Sequence, residues 1–121
     1  MFWREHSILP TIFEPIYFVE GRYYNVKYIS LVKYTAKGAE NVKDSPNRLD
    51  AFKGLCEFMG AKVGGFYLTM GRCDMLVILD APNPETVAKI ILATSSRGAV
   101  STETLQAFSK EEYRKIVSEL P

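Results

Sequence analysis

The residues best equipped for chemistry in this 121-residue chain gather around one short segment, Gly71-Arg72-Cys73-Asp74. A carboxylate such as Asp74 can act as a general base or hold a polar substrate group, and burial would raise its pKa toward a useful value. In a turn the same side chain accepts backbone amides and fixes the loop. Cys73 stands next to Arg72, whose charge favours a thiolate; the plainer reading is a passive loop thiol. Lys33 and Arg48, with Asp44 near them in sequence, form a candidate anion site at a helix start, against the alternative of a solvated charged rim. A third set consists of hydroxyls carried on strands: Tyr28, Ser30, Tyr34, Tyr67, Thr69, Thr102 and Thr104. The single histidine, His6, excludes a site built from several imidazoles of one chain and argues against a His-based zinc centre; no metal and no cofactor are expected.

These groups need a scaffold, and residues 61–81 are its centre. Two apolar, β-branched and aromatic runs flank the polar tetrapeptide, which is the pattern of a β-hairpin. Neither run alternates cleanly, so both faces of the hairpin should be covered. Gly64-Gly65 implies a bulge or a close backbone approach. Upstream, residues 27–34 read as a first strand, and residues 35–44 as a loop or short helical turn. Asp44-Ser45-Pro46 then opens a helix, in which Leu49, Phe52, Leu55, Cys56 and Met59 recur at helical spacing before Gly60. Downstream, Asn83-Pro84-Glu85 opens a second helix with Val87, Ile90, Ile91 and Thr94 inward, closed by Arg97-Gly98. Residues 99–108 read as a fourth strand. Ser109 and Glu112 form a capping box for a last helix whose apolar side is Tyr113, Ile116, Val117 and Leu120.

The order strand, helix, strand, strand, helix, strand is that of an α+β, ferredoxin-like βαββαβ domain. It predicts a four-stranded antiparallel sheet with helices on one face and an extra C-terminal helix. Residues 1–26 form a separate N-terminal, aromatic-rich extension, with Pro10 and Pro15 breaking any helix. Within it, residues 16–20 suit a short strand and Glu20-Gly21-Arg22 a turn. No signal peptide is read there.

Apolar residues make up 47% and charged residues 24% of the chain, with a net charge of +1. That is the balance of a globular protein, without the basic stripe of a nucleic-acid binder or a membrane span. Two cysteines outside any Cys-x-x-Cys pair fit a reduced, cytoplasmic protein.

From residue 27 to 117 the chain closely resembles the GYD domain family, named for a Gly-x-Tyr-Asp element in the hairpin. The matching stretches are Tyr28-Ile29-Ser30-Leu31-Val32-Lys33-Tyr34-Thr35, Lys43-Asp44-Ser45-Pro46 with Arg48, and Gly65-Phe66-Tyr67-Leu68-Thr69-Met70-Gly71. Asp74, Glu85, Thr102-Glu103-Thr104 and Ala107-Phe108 complete them. Cys73 departs from the pattern, standing where the family's Tyr is expected. The resemblance implies a small bacterial or archaeal domain of the dimeric α/β-barrel type, two sheets face to face, with no established reaction.

Strand alternation then offers a division of faces. With Ile29, Leu31, Phe66, Leu68, Val77, Leu79 and Leu105 toward the helices, the other face shows Tyr28, Ser30, Val32, Tyr34, Tyr67, Thr69, Leu76, Ile78, Thr102 and Thr104. In a paired barrel that second set would line an apolar cavity with polar handles, or a plain dimer interface. The expected ligand-binding residues are accordingly Tyr28, Ser30, Tyr34, Tyr67, Thr69, Arg72, Asp74, Thr102 and Thr104. The leading function is a homo-oligomeric module that binds a small hydrophobic or amphipathic ligand or serves as an interaction surface, with no nucleic acid or membrane. The alternative is a cofactor-independent, monooxygenase- or isomerase-like barrel enzyme using Asp74 and barrel tyrosines, an inference from fold alone.

Overall fold

The computed structural model describes residues 26–121 and two short strands before them, β1 (Tyr17–Val19) and β2 (Arg22–Tyr24), paired antiparallel with Tyr17 opposite Tyr24. β1 falls within the strand expected at 16–20. Residues 1–16, 20, 21 and 25, which belong to the expected extension and include two of the three residues of its expected turn, lie outside the described residues.

The main sheet contains β3 (Val26–Tyr34), β4 (Lys62–Leu68), β5 (Met75–Ala81) and β6 (Val100–Ala107), in the spatial order β4-β5-β3-β6, all antiparallel. Helices α1 (Ala36–Glu40), α2 (Ser45–Phe58), α3 (Pro84–Ser95) and α4 (Lys110–Ser118) connect or follow the strands. The two central strands, β3 and β5, run side by side although the hairpin joins β4 to β5, which is the ferredoxin-like crossover.

Local chemistry accounts for the element ends. The Asn83 side chain accepts the Thr86 amide at 2.8 Å, with Pro84 in the first turn of α3. Ser109 accepts the amide of Glu112 while the Glu112 carboxylate accepts that of Ser109, completing the capping box of α4. The start of α2 differs from expectation. A 3-10 turn, Val42–Asp44, runs directly into the helix, so Asp44 caps no amide with its side chain and instead accepts from the Asn47 side chain at 3.0 Å. Within β4 the register slips between Val63 and Gly65, the expected bulge.

The loop 35–41 is fastened to the end of α3. Thr35 donates its backbone amide to the Ala99 carbonyl at 3.0 Å and its hydroxyl to the Gly98 carbonyl at 2.6 Å, while its hydroxyl oxygen accepts the Gly38 amide at 3.1 Å. Gly98 has a φ of 84°, a conformation that lets the chain reverse after α3 and meet Thr35.

The core lies between the sheet and the pair α2 and α3. Leu79, Ile90, Cys56 and Ala61 are fully buried, joined by Tyr28, Val32, Met75, Val77 and Val87. Burial pushes the Cys56 thiol up to about 12, with Glu57 adding to the effect, so this thiol stays protonated and inert at neutral pH.

Candidate functional site

Two features of the described domain could carry function: the sheet face turned away from α2 and α3, and a cavity beneath those helices. Sorting residues between them corrects one expectation. Cross-strand partners share a face, and Tyr28 pairs with Leu79, Ser30 with Val77, and Val32 with Met75, all buried under the helices. Ser30 and Val32 also pair with Thr104 and Thr102, and Tyr34 with Val100. Tyr28, Ser30, Val32, Tyr34, Thr102 and Thr104 therefore face the helices, whereas Ile29, Leu31 and Leu105 face away. For these residues the division read from alternation is reversed.

Three of these inward hydroxyls, those of Ser30, Thr104 and Tyr34, find side-chain partners. Ser30 and Thr104 are hydrogen-bonded at 3.1 Å, as are Tyr34 and Ser45. The Tyr28 hydroxyl is buried without a hydrogen-bond partner among the described residues. Burial, reinforced by Glu85, raises its pKa and keeps the phenol neutral.

In β4 and β5 the expected division agrees with the register. Phe66 pairs with Val77 on the helix side, and Tyr67 with Leu76 on the open side. The open face thus presents Ile29, Leu31, Leu76, Ile78, Leu105 and Tyr67, of which Leu105 is 46% and Tyr67 60% exposed. Charges border this apolar centre. Lys27 donates to the Asp80 carboxylate at 2.6 Å at one end, and Lys33 and Glu103 occupy neighbouring open-face positions at the other. Gly64 leaves room for that ion pair, since a Cβ there would come within 2.6 Å of an Asp80 carboxylate oxygen.

Asp74 is spent on the scaffold. Its Oδ2 accepts the Tyr34 amide at 2.8 Å, its own amide donates to the Val32 carbonyl at 2.8 Å, and its carbonyl accepts the Thr69 amide at 2.9 Å. The residue carries the β5–β3 pairing one position upstream of Met75, where β5 begins. Thr69 donates its hydroxyl to the Cys73 carbonyl at 2.8 Å, closing the turn from inside. Arg72 is exposed and makes no ion pair with Asp74. Substitution separates the scaffold role from a chemical one. Asp74→Ala leaves the Tyr34 amide unpaired and should cost about 2 kcal/mol, while Asp74→Asn keeps an acceptor and should cost about 1 kcal/mol. Urea unfolding of both variants checks this, and midpoints equal to wild type would contradict it.

The expected anion site does not assemble. Lys33 lies on the open face, whereas Arg48 lies on α2 beneath the sheet's other side, donating to the carbonyls of Asn41 at 3.1 Å and Gly38 at 3.4 Å. Arg48 instead belongs to a cavity of about 150 Å³ that alternation did not reveal, because it forms between elements far apart in sequence. Val32, Phe52, Leu55, Phe66, Val77 and Ile91 supply apolar wall, Ser30 and Thr102 sit on its floor, and Arg48 and Arg97 line it as well.

The fold places this chain among ferredoxin-like α+β domains, and the sequence narrows that class. The GYD domain model matches residues 28–117, and the chain belongs to that family. It is 33% identical over 81 residues to a Thermus thermophilus protein called the glutamine synthetase and cystathionine beta-lyase binding protein, covering 66% of this chain and 85% of that one. Among solved structures it is similar to the leucine response regulatory protein of Mycobacterium tuberculosis, with a TM-score of 0.54 at 10% identity over 70% of this chain. A feast or famine regulatory protein from M. tuberculosis complexed with L-methionine gives a TM-score of 0.55, again at 10% identity over 70% of this chain. This chain spans about half the length of those two structures, 51% in each case, and the likeness is one of fold. Among the described residues no helix is long and apolar enough to cross a membrane.

Proposed function

We propose that this protein is an interaction module that works as a homodimer, two copies packing their open sheet faces together as a barrel. One observation carries the reading: the open face has an apolar centre of Ile29, Leu31, Leu76, Ile78 and Leu105 with charges at its border, the composition of a protein interface rather than of a wet surface. α2 and α3 occupy the other side of the sheet, so neither covers it. The stripe on α4 is a second exposed apolar surface, with Tyr113 64% and Ile116 46% exposed, and Leu120, just beyond the helix end, 64%. The name of the Thermus relative, a binding protein for two metabolic enzymes, supports protein–protein recognition as the purpose of such surfaces.

In this reading the GYD-like domain is self-sufficient from about residue 26, and the preceding segment is an addition to it. A chain beginning at Val26 should fold with a cooperative melt and sediment as a dimer at micromolar concentration. Failure of the truncated chain to fold would place the N-terminal segment in the core. A folded truncated monomer would remove the open sheet face as the dimer surface.

A further inference from the structure

We infer that the cavity beneath α2 and α3 is a binding site for a small amphipathic carboxylate, a compact apolar body of about six carbons ending in one negative charge. This site is separate from the proposed dimer face, on the opposite side of the sheet, so either can stand without the other.

The size argument comes first. An apolar cavity of about 150 Å³ is large enough to hold benzene and stays dry when nothing polar calls water in. The cavity has this volume, and its wall from Phe52, Leu55, Phe66 and Ile91 is apolar. Such a space left empty forfeits dispersion contacts along its whole lining. A six-carbon ring or branched chain restores them, and a long acyl chain does not fit.

The charge argument selects the other end of the ligand. Arg48 and Arg97 line the cavity while keeping contact with solvent, Arg97 being exposed and the Arg48 side chain 28% exposed. Arg97 makes no ion pair with a described carboxylate, and Arg48 is 4.0 Å from that of Asp44. Two guanidinium groups against one carboxylate leave about one positive charge, which suits a monoanion better than a dianionic phosphate. Arg48 is held in place by the carbonyls of Asn41 and Gly38, so it is positioned before any ligand arrives. Guanidinium groups pair with carboxylates through parallel N–H donors, a geometry a point charge does not offer.

The test uses benzoate and hexanoate as probes, with benzyl alcohol and hexanol as uncharged counterparts, followed by amide chemical shifts of the full-length protein. The carboxylates should saturate at millimolar concentration or below and move the amides of Val32, Phe52, Ile91 and Val100, with the alcohols at least fivefold weaker. Arg97→Gln should abolish that fivefold preference while leaving alcohol binding unchanged. Thr94→Phe, which projects a ring into the cavity from α3, should abolish binding of all four probes while the spectrum stays that of a folded protein. Should Thr94→Phe unfold the chain, Thr94→Leu gives the same reading with less added volume. Equal binding of acids and alcohols would overturn the assignment of the charge. Shifts confined to the open sheet face, or none at these amides up to about 20 mM probe, well above a millimolar dissociation constant, would overturn the site.

Discussion

Gly38→Ala should be among the most damaging single substitutions in the domain, costing about 3 kcal/mol, near the upper end of what overpacking does. Gly38 is buried in α1, and a Cβ built on it would lie 2.0 Å from the carbonyl oxygen of Ala99 and 3.0 Å from its carbonyl carbon. Both are backbone atoms, so no flexible side chain can move aside. Either α1 or the start of β6 must shift, and each route breaks something nearby. The same few residues carry the Thr35 amide to Ala99, the Thr35 hydroxyl to Gly98, and the Arg48 guanidinium to the Gly38 carbonyl. In a domain whose total stability is on the order of 10 kcal/mol, such a loss is visible as a thermal midpoint lower by more than ten degrees. Gly54, with nothing within 4 Å of its would-be Cβ and a place in the middle of α2, is the control. Gly54→Ala should raise stability by up to about 1 kcal/mol through helix propensity. Calorimetry on the two variants reads the contrast, and a Gly38→Ala midpoint within about two or three degrees of wild type would contradict the close approach, because each kcal/mol lost moves the midpoint by several degrees.

The hairpin shows why some of the site was legible in the sequence and some was not. In β4 and β5 the connecting turn ties the two strands together, so placing Val77 inward also places Phe66 inward and Tyr67 and Leu76 outward, as the register has it. Nothing local ties β3 to β5. They are joined through two helices and a strand, and both alternation classes of β3, Tyr28-Ser30-Val32-Tyr34 and Ile29-Leu31, contain apolar residues. The deciding fact is a long-range one, the pairing of Ile29 with Ile78 and of Ser30 with Val77. A hydroxyl is a poor guide to the outer face when another strand supplies its partner, as Thr104 does for Ser30. The cavity was hidden for the same reason, since its walls come from β3, α2, β4, β5, α3 and β6. Helix ends, by contrast, depend on three or four consecutive residues, and Asn83 and Ser109 behave as those residues dictate.

Leu76→Asp should convert the protein from dimer to monomer without unfolding it. Leu76 lies near the middle of the open face, paired with Leu31 on one side and Tyr67 on the other. In a single copy its side chain is only partly buried, so an aspartate there keeps access to water and the fold tolerates it. In a face-to-face dimer the carboxylate would be buried without a cationic partner, and two-fold symmetry places two such charges in one interface. At about 2 kcal/mol for each copy, the loss is about 4 kcal/mol, or on the order of a thousandfold in the dissociation constant. Leu92→Asp is the matched control, because Leu92 is an exposed apolar residue on α3, on the helix side of the domain.

Sedimentation equilibrium of the unaltered chain beside Leu76→Asp, at about 10 µM (a concentration at which a micromolar dimer is mostly formed), tests this account most directly. The predicted result is a species of twice the 13.7 kDa chain mass for the unaltered protein and for Leu92→Asp, and a folded 13.7 kDa monomer for Leu76→Asp. A monomeric unaltered chain, or a Leu76→Asp variant that stays dimeric, would contradict pairing through the open sheet face.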